Sequence, residues 1–259
     1  MKVVLWSVMF VMLSCATQEK QKRGDFTYQV EGQDHIGYIQ SGVSDESKAP
    51  GVIVVHEWWG HNDYARSRVD ELAEQGFVAM SIDMYGEGKQ ADHPKDASSF
   101  AAKAMSDFDL AKKRFLKAVE ILKSRDDVNQ NKIVAIGYCF GGGVVLNMAR
   151  AGVDLDLVAS FHGSLKSEKS FKGSEFKGKV MVFNGAADPM VKKEHINNFI
   201  EEVKEANIPY RFVNYPEAQH AFTNPKADKL GEKFNLPLSY NKKADEDSWQ
   251  QFLTELKKL

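Results

Sequence analysis

Gly137-Tyr138-Cys139-Phe140-Gly141 constrains the fold of this chain more than any other segment, because it lies between an apolar run and a run of small residues. Lys132-Ile133-Val134-Ala135-Ile136 has the continuous apolar character of a buried strand, and Gly142-Gly143-Val144-Val145-Leu146-Asn147-Met148-Ala149 reads as the helix behind it. A strand, a G-x-C-x-G turn and a helix in that order form the setting of a nucleophile elbow. The turn is so tight that the central residue is strained, and side chains on its neighbours would collide with the flanking elements. Glycines remove the collision and leave one reactive atom at the top of the sheet. Here that atom is a thiol. A glycine-rich turn holding a buried structural cysteine is the competing reading, since free Cys often behaves as a small hydrophobe.

Two later residues favour chemistry. Lys179-Val180-Met181-Val182-Phe183-Asn184 reads as a strand, and Gly185-Ala186-Ala187-Asp188-Pro189-Met190-Val191 follows it. Asp188 thus falls just past the C-terminal end of a strand, where open α/β sheets gather their site residues. Tyr210-Arg211-Phe212-Val213-Asn214-Tyr215 is a further strand, and His220 stands in the loop after it. Taken alone, Asp188 is an ordinary turn aspartate before proline and His220 a solvated loop histidine. Taken together, nucleophile, acid and histidine follow the chain order of an α/β-hydrolase triad.

At these residues the chain resembles the dienelactone hydrolases of the α/β-hydrolase superfamily. The resemblance runs from about Phe26 to the C-terminus. It rests on Gly137-Tyr138-Cys139-Phe140-Gly141-Gly142, Gly185-Ala186-Ala187-Asp188-Pro189, His220-Ala221-Phe222 and Val54-Val55-His56-Glu57-Trp58-Trp59-Gly60. The resemblance implies an α/β-hydrolase fold with Cys139 as nucleophile, His220 as base and Asp188 as its orienting carboxylate. It also implies that Glu57 lies beside the cysteine and helps to activate it when substrate arrives.

The chemistry is intelligible on its own terms. A free thiol with a pKa of about 8.5 is only slightly ionised at neutral pH, so a base must take its proton. His220 serves if Asp188 fixes its tautomer and supports the imidazolium. Attack on an ester carbonyl gives an oxyanion that needs two preorganised donors. The N–H of Phe140, the residue after the nucleophile, is one; the N–H of Trp58, in the loop after an early strand, is the expected second.

His56-Glu57-Trp58-Trp59-Gly60-His61 invites a zinc reading, which its spacing opposes. The H-E-x-x-H pattern places two histidines at i and i+4 on a helix. Here they are five apart and follow the strand-like Val52-Ile53-Val54-Val55. No metal and no cofactor is expected. Trp58 and Trp59 read equally as core aromatics or as walls for an apolar substrate part.

The first 23 residues stand apart from the domain. Lys2 precedes an apolar run from Val3 to Leu13 that is too short to span a bilayer, as in a signal peptide. Met12-Leu13-Ser14-Cys15 approximates a lipobox, in which Cys15 is lipidated and becomes the mature N-terminus. Ser14-Cys15-Ala16 alternatively fits the cleavage site of a soluble exported protein. The polar stretch over residues 16–25 favours the lipoprotein, as a tether. Export places the domain, residues 26–259, in the periplasm or at the cell exterior. Cys15 and Cys139 are the two cysteines, so a mature chain has no partner within itself for Cys139.

About 235 residues remain, enough for one α/β domain. A net charge of −2 implies neither nucleic acid nor anionic membrane as partner. No feature of the sequence sets an oligomeric state. Phe26 to Gln40 reads as a hairpin turning near Gly32-Gln33-Asp34. Residues 51–55, 77–82, 133–136, 157–161, 179–183 and 210–214 read as parallel strands. Residues 63–75, 96–124, 192–206 and 245–256 read as helices. Alternating strands and helices predict a mostly parallel sheet with helices on both faces. Phe108, Ala111, Phe115, Ala118, Val119 and Leu122 mark a face packed on that sheet, and Lys112-Lys113-Arg114 and Lys192-Lys193 read as solvated faces.

Substrate is read from a departure. The resemblance implies two arginines for a substrate carboxylate, one after the Asp-x-Tyr segment and one four residues past the catalytic histidine. Here those places hold Glu87 and Asn224. A carboxylate there would lose its ion pairs and meet a like charge. Arg66, Arg68 and Lys89 are the cations available to compensate. The expected substrate is therefore a small ester or lactone, broader than dienelactone. A thioesterase or acyl transferase sharing the acyl-cysteine intermediate, and a non-catalytic lipoprotein using the fold as a binding scaffold, remain alternatives.

Overall fold

The computed structural model describes residues 24–44 and 47–259. The signal-peptide and Cys15 expectations lie outside those residues. β1 (Gly24–Val30) and β2 (Gln33–Ser41) form the expected hairpin, with Val30 opposite Gln33. The connection is therefore Glu31-Gly32, both left-handed at φ 50° and 77°. That is the requirement of a two-residue I′ turn, whose twist matches the strands. β1 begins at Gly24, so the last two residues of the stretch read as a tether belong to the sheet.

The remaining strands follow the apolar runs: β3 (Ala49–Val55), β4 (Val78–Ile82), β5 (Val128–Tyr138), β6 (Leu157–Phe161), β7 (Lys179–Gly185) and β8 (Tyr210–Tyr215). The order across the sheet is β1-β2-β4-β3-β5-β6-β7-β8, with β3 to β8 parallel and β2 antiparallel to β4. Every residue of β4 and β6 is buried, as strands covered on both faces must be.

Helices cover both faces. α1 (Asp63–Glu74) and α7 (Lys242–Leu256) pack on one side through Val69, Leu72, Phe252 and Leu256. On the other lie α2 (Pro94–Ser106), α3 (Phe108–Lys123), α4 (Phe140–Arg150) and α5 (Lys193–Glu205), anchored by Ala104, Phe115, Val145 and Phe199. The chain leaves β3 toward β4 on one side and returns to β5 on the other. The loops that follow β3 and β5 therefore part at a topological switch point, the place in such sheets where a ligand crevice opens.

Three expectations are corrected. The single helix over 96–124 is two, because Asp107 adopts extended backbone (φ −117°, ψ 97°) and its Oδ1 accepts the Leu110 N–H at 3.0 Å, capping α3. A further helix, α6 (Ala227–Phe234), follows the His220 loop; its short length and flanking polar residues hide it from periodicity. Arg114 is not on a solvated face. It is buried, and its guanidinium donates to the Met84 carbonyl at 3.1 Å and Gln33 Oε1 at 3.3 Å.

Candidate active site

The elbow has the strained form its sequence demands. β5 ends at Tyr138, α4 starts at Phe140, and Cys139 between them sits at φ 52°, ψ −112°. A non-glycine residue there is costly and persists only where its surroundings over-determine it. The flanking glycines are sterically required: a Cβ on Gly137 would lie 2.1 Å from the Gly141 carbonyl oxygen, and one on Gly141 would lie 2.2 Å from that of Val55. The Gly141 N–H also donates to the His56 carbonyl at 3.1 Å, locking the elbow to the loop after β3.

Asp188 and His220 arrive from neighbouring strand ends. Asp188 follows β7, where its own N–H bonds the Gly185 carbonyl at 3.2 Å and its Oδ1 accepts the Met190 N–H at 2.8 Å. Its Oδ2 lies 2.7 Å from His220 Nδ1. His220 follows β8 and is held by a bridge to Leu238 and a bond from the Ser239 N–H to its carbonyl at 3.1 Å. With Nδ1 committed to Asp188, Nε2 is the nitrogen left for the side-chain hydrogen bond with Cys139. Burial opposes a charge on His220, yet the field of Cys139 and the hydrogen bonds to Asp188 and Cys139 outweigh it and hold His220 well above the usual imidazole range. The structure thus brings together all three predicted triad residues.

Glu57 stands on the loop after β3 and is buried, with Oε2 accepting from Asn224 Nδ2 at 2.6 Å. Burial pushes its carboxyl up to about 7, while the Asn224 amide and the positive fields of His220 and Arg68 pull the other way. Asn224 is itself fixed, because its Oδ1 accepts the Lys226 N–H at 2.9 Å.

The candidate oxyanion donors are set by local geometry. Phe140 opens α4, so its N–H is among those a helix start leaves without an intrahelical partner. Trp58 N–H is aimed by the far end of its peptide. The Glu57 carbonyl is held by His56 Nδ1 at 2.5 Å and by the Gly60 N–H at 3.2 Å, and in a trans peptide the N–H points the opposite way. His56 Nε2 accepts the Met84 N–H at 3.2 Å, which places the ring proton on Nδ1. Tyr85 adds a second hold, its hydroxyl donating to the Trp58 carbonyl at 2.9 Å.

The rings of His56 and His61 bond different partners. His61 Nε2 bonds Ser81 Oγ at 2.7 Å, and burial pushes it down to about 3, with the positive field of Arg66 acting in the same direction. Among the described residues no three His, Cys, Asp or Glu side chains are placed to hold a metal ion. The three cations expected to compensate are engaged with other partners. Arg66 pairs with Asp25, Lys89 with Glu87 at 2.7 Å, and Arg68 with Asp245 at 2.6 Å and Glu71 at 2.9 Å. A cleft of about 260 Å³ opens beside Asn224 and Trp59, with Leu230 and Phe234 in its walls and Lys226, Lys233, Asp63 and Asp92 also in its lining.

Sequence reasoning missed two participants. His162, the residue after β6, is fully buried at φ 42°, and its Nδ1 lies 3.2 Å from the Cys139 N–H. Its Nε2 lies 2.7 Å from Thr223 Oγ1, which in turn meets the Tyr64 hydroxyl at 2.5 Å. The signal that could have found His162 is positional: it directly follows the strand beside the elbow and precedes a glycine. Thr223 carried no signal beyond its place next to Asn224.

An eight-stranded sheet of this order, with a strained residue after β5, an acid after β7 and a histidine after β8, is an α/β-hydrolase. A solved α/β-hydrolase enzyme from a Medee basin deep-sea metagenome library shares the fold, with a TM-score of 0.65 at 18% identity over 92% of this chain and all of that one. The dienelactone hydrolase family model matches residues 37–259, and the chain belongs to that family. A carboxymethylenebutenolidase homologue of Yersinia pestis is 24% identical over 241 residues, covering 89% of this chain and 86% of the relative. A dienelactone hydrolase-like promiscuous phosphotriesterase from metagenomic libraries superposes with a TM-score of 0.84 at 29% identity, over 91% of this chain and 97% of that one. The protein is a hydrolase acting on ester bonds.

Proposed function

We propose that the chain is an exported, cysteine-dependent hydrolase of neutral carboxylic esters and lactones that works through an acyl-cysteine intermediate. The observation that carries this is the alignment of Cys139, strained at φ 52°, with a His220 held by Asp188 at 2.7 Å. With the thiol proton on His220 Nε2, Cys139 Sγ adds to the ester carbonyl carbon, and the carbonyl electron pair moves to oxygen. Trp58 and Phe140 N–H groups bind that oxyanion. Its collapse breaks the carbon–oxygen bond, and the leaving alcohol takes the proton back from His220. A water deprotonated by His220 then attacks the thioester, releasing the acid and the thiol. Glu57, whose carboxyl burial pushes up to about 7, is in this reading a second acceptor for the thiol proton.

The neutral-substrate reading rests on what stands in the two carboxylate-binding places. Asn224 is uncharged and spends its amide on Glu57, and Glu87 is exposed and paired with Lys89. Arg66, Arg68 and Lys89 hold other partners. Steady-state kinetics test it directly: p-nitrophenyl butyrate should exceed dienelactone in kcat/KM, and a large excess for dienelactone would contradict it.

Lack of a carboxylate clamp also favours a second reading, turnover of neutral phosphotriesters, the activity borne by the structural relative that aligns over 97% of its own length. Paraoxon hydrolysis lost in Cys139→Ala checks it. Thioesters against oxygen esters, with alcohols added as competing acceptors, separate hydrolysis from acyl transfer; ligand binding without turnover of any ester would support the scaffold. For export, the run from Val3 to Leu13 and the Cys15 environment are the support. Fatty-acid labelling abolished by Cys15→Ser would establish the lipid anchor, and an unlabelled, soluble mature chain would indicate simple cleavage.

A further inference from the structure

His162 is not part of the triad, yet it joins the two halves of it. The Cys139 N–H is shared between the Phe161 carbonyl at 3.0 Å and His162 Nδ1 at 3.2 Å. A backbone N–H can only donate, so Nδ1 carries the lone pair and Nε2 the proton. That proton faces Thr223 Oγ1 at 2.7 Å, three residues past His220 on the same loop. The Thr223 carbonyl is itself tied down by Arg68 Nη2 at 2.8 Å, and the imidazole of His162 meets that of His220 edge-on at 5.4 Å between centroids. Burial first, with the positive fields of His220 and Arg68, holds His162 neutral, well below the usual imidazole range. Only the neutral ring can accept at one nitrogen while donating at the other.

We propose that His162 is a positioning residue: it clamps the strained Cys139 elbow through Nδ1 and, through Nε2 and Thr223, fixes that elbow against the loop carrying His220. The proposal rests on reading Cys139 and His220 as the reacting pair. Two adjacent left-handed residues, Cys139 at φ 52° and His162 at φ 42°, are held in place by this bond and by the His162 N–H to the Phe183 carbonyl at 2.8 Å. Without the clamp the thiol keeps its neighbours but loses its aim, and small misplacements at a reacting atom cost turnover rather than binding.

The test compares His162→Leu, His162→Asn and Thr223→Val in the purified protein. Asn is the conservative choice, since its Oδ1 can take the place of Nδ1 and it tolerates left-handed backbone. With p-nitrophenyl butyrate, His162→Leu should lower kcat by roughly ten- to a hundredfold with KM within about twofold, and His162→Asn should recover most of the loss. Thr223→Val should lower kcat by a few-fold in the same sense. Equal losses in the Leu and Asn variants, tracking a fall in Tm, would reduce His162 to a packing residue and overturn the proposal, as would unchanged kcat in His162→Leu. If His162→Leu does not fold, Thr223→Val decides: wild-type kcat overturns the proposal. Iodoacetamide alkylation of Cys139, followed by mass spectrometry, needs no substrate. Should the wild type turn over no ester, the same ranking of variants in alkylation rate would sustain the proposal while the proposed activity fails, and equal rates would overturn it.

Discussion

Asn224 Nδ2 donates to Glu57 Oε2 at 2.6 Å, and both side chains are buried. A neutral amide therefore stands against this carboxyl where the family resemblance implies an arginine. An amide favours the carboxylate less than a full charge does, and burial wins: the carboxyl rises to about 7.

One consequence is a stability that falls with pH. A carboxyl raised from 4.5 unfolded to about 7 folded favours the native state fully below pH 4.5 and loses that contribution as pH climbs through 7. Glu57→Gln, permanently neutral, should therefore gain on the wild type at pH 8.5 by about 3 kcal/mol at most, and match it near pH 4.5. Urea unfolding at the two pH values checks this; a gain equal at both would contradict the burial of a titrating carboxyl.

Asn224→Leu removes the donor that favours the carboxylate, so Glu57 should rise further. If Glu57 serves as proton acceptor, the acid limb of kcat/KM should move to higher pH by on the order of one unit. Profiles from pH 5.5 to 9 on p-nitrophenyl butyrate would show it. A limb that stays in place would remove Glu57 from thiol activation.

Tyr85→Phe deletes the hydrogen bond to the Trp58 carbonyl. It would loosen the proposed Trp58 donor without removing it, so kcat should fall by roughly three- to tenfold, against the 100- to 1000-fold typical of a lost oxyanion donor. KM should hold. A change in KM alone would mean that Tyr85 shapes binding and not the oxyanion loop.

Gly141→Ala forces a Cβ to 2.2 Å from the Val55 carbonyl oxygen and 2.7 Å from that of His56, both backbone atoms. Destabilisation of at least about 3 kcal/mol is expected, with loss of activity. Gly143→Ala is the control. Its Cβ would meet Ser164 at 3.5 Å, ordinary contact, and Ala is the better helix former by about 1 kcal/mol. Chemical denaturation of both variants checks the contrast.

Much of this was legible from residues alone, for identifiable reasons. Steric demand wrote Gly137, Cys139 and Gly141 into the sequence, and the turn they predict is the turn observed. Asp188 and His220 were found because strand ends are marked by apolar runs, and the structure joins them at 2.7 Å. The Asp107 cap was hidden, since one aspartate interrupts an otherwise continuous helical pattern from Asp96 to Ser124. For Arg114 charge suggests solvent, whereas its helix position turns it onto the Met84 carbonyl. His162 and Thr223 escaped because their role is a long-range bond between loops, with no periodicity to announce it.

The central claim is that Cys139 carries the acyl group. Rapid-quench mass spectrometry of the protein mixed with p-nitrophenyl butyrate, with peptide mapping, tests it most directly when run beside Cys139→Ala. A butyryl adduct on Cys139 that forms before steady state, with turnover abolished in Cys139→Ala, is the predicted result. Ester hydrolysis that survives in Cys139→Ala would contradict it and move the nucleophile elsewhere.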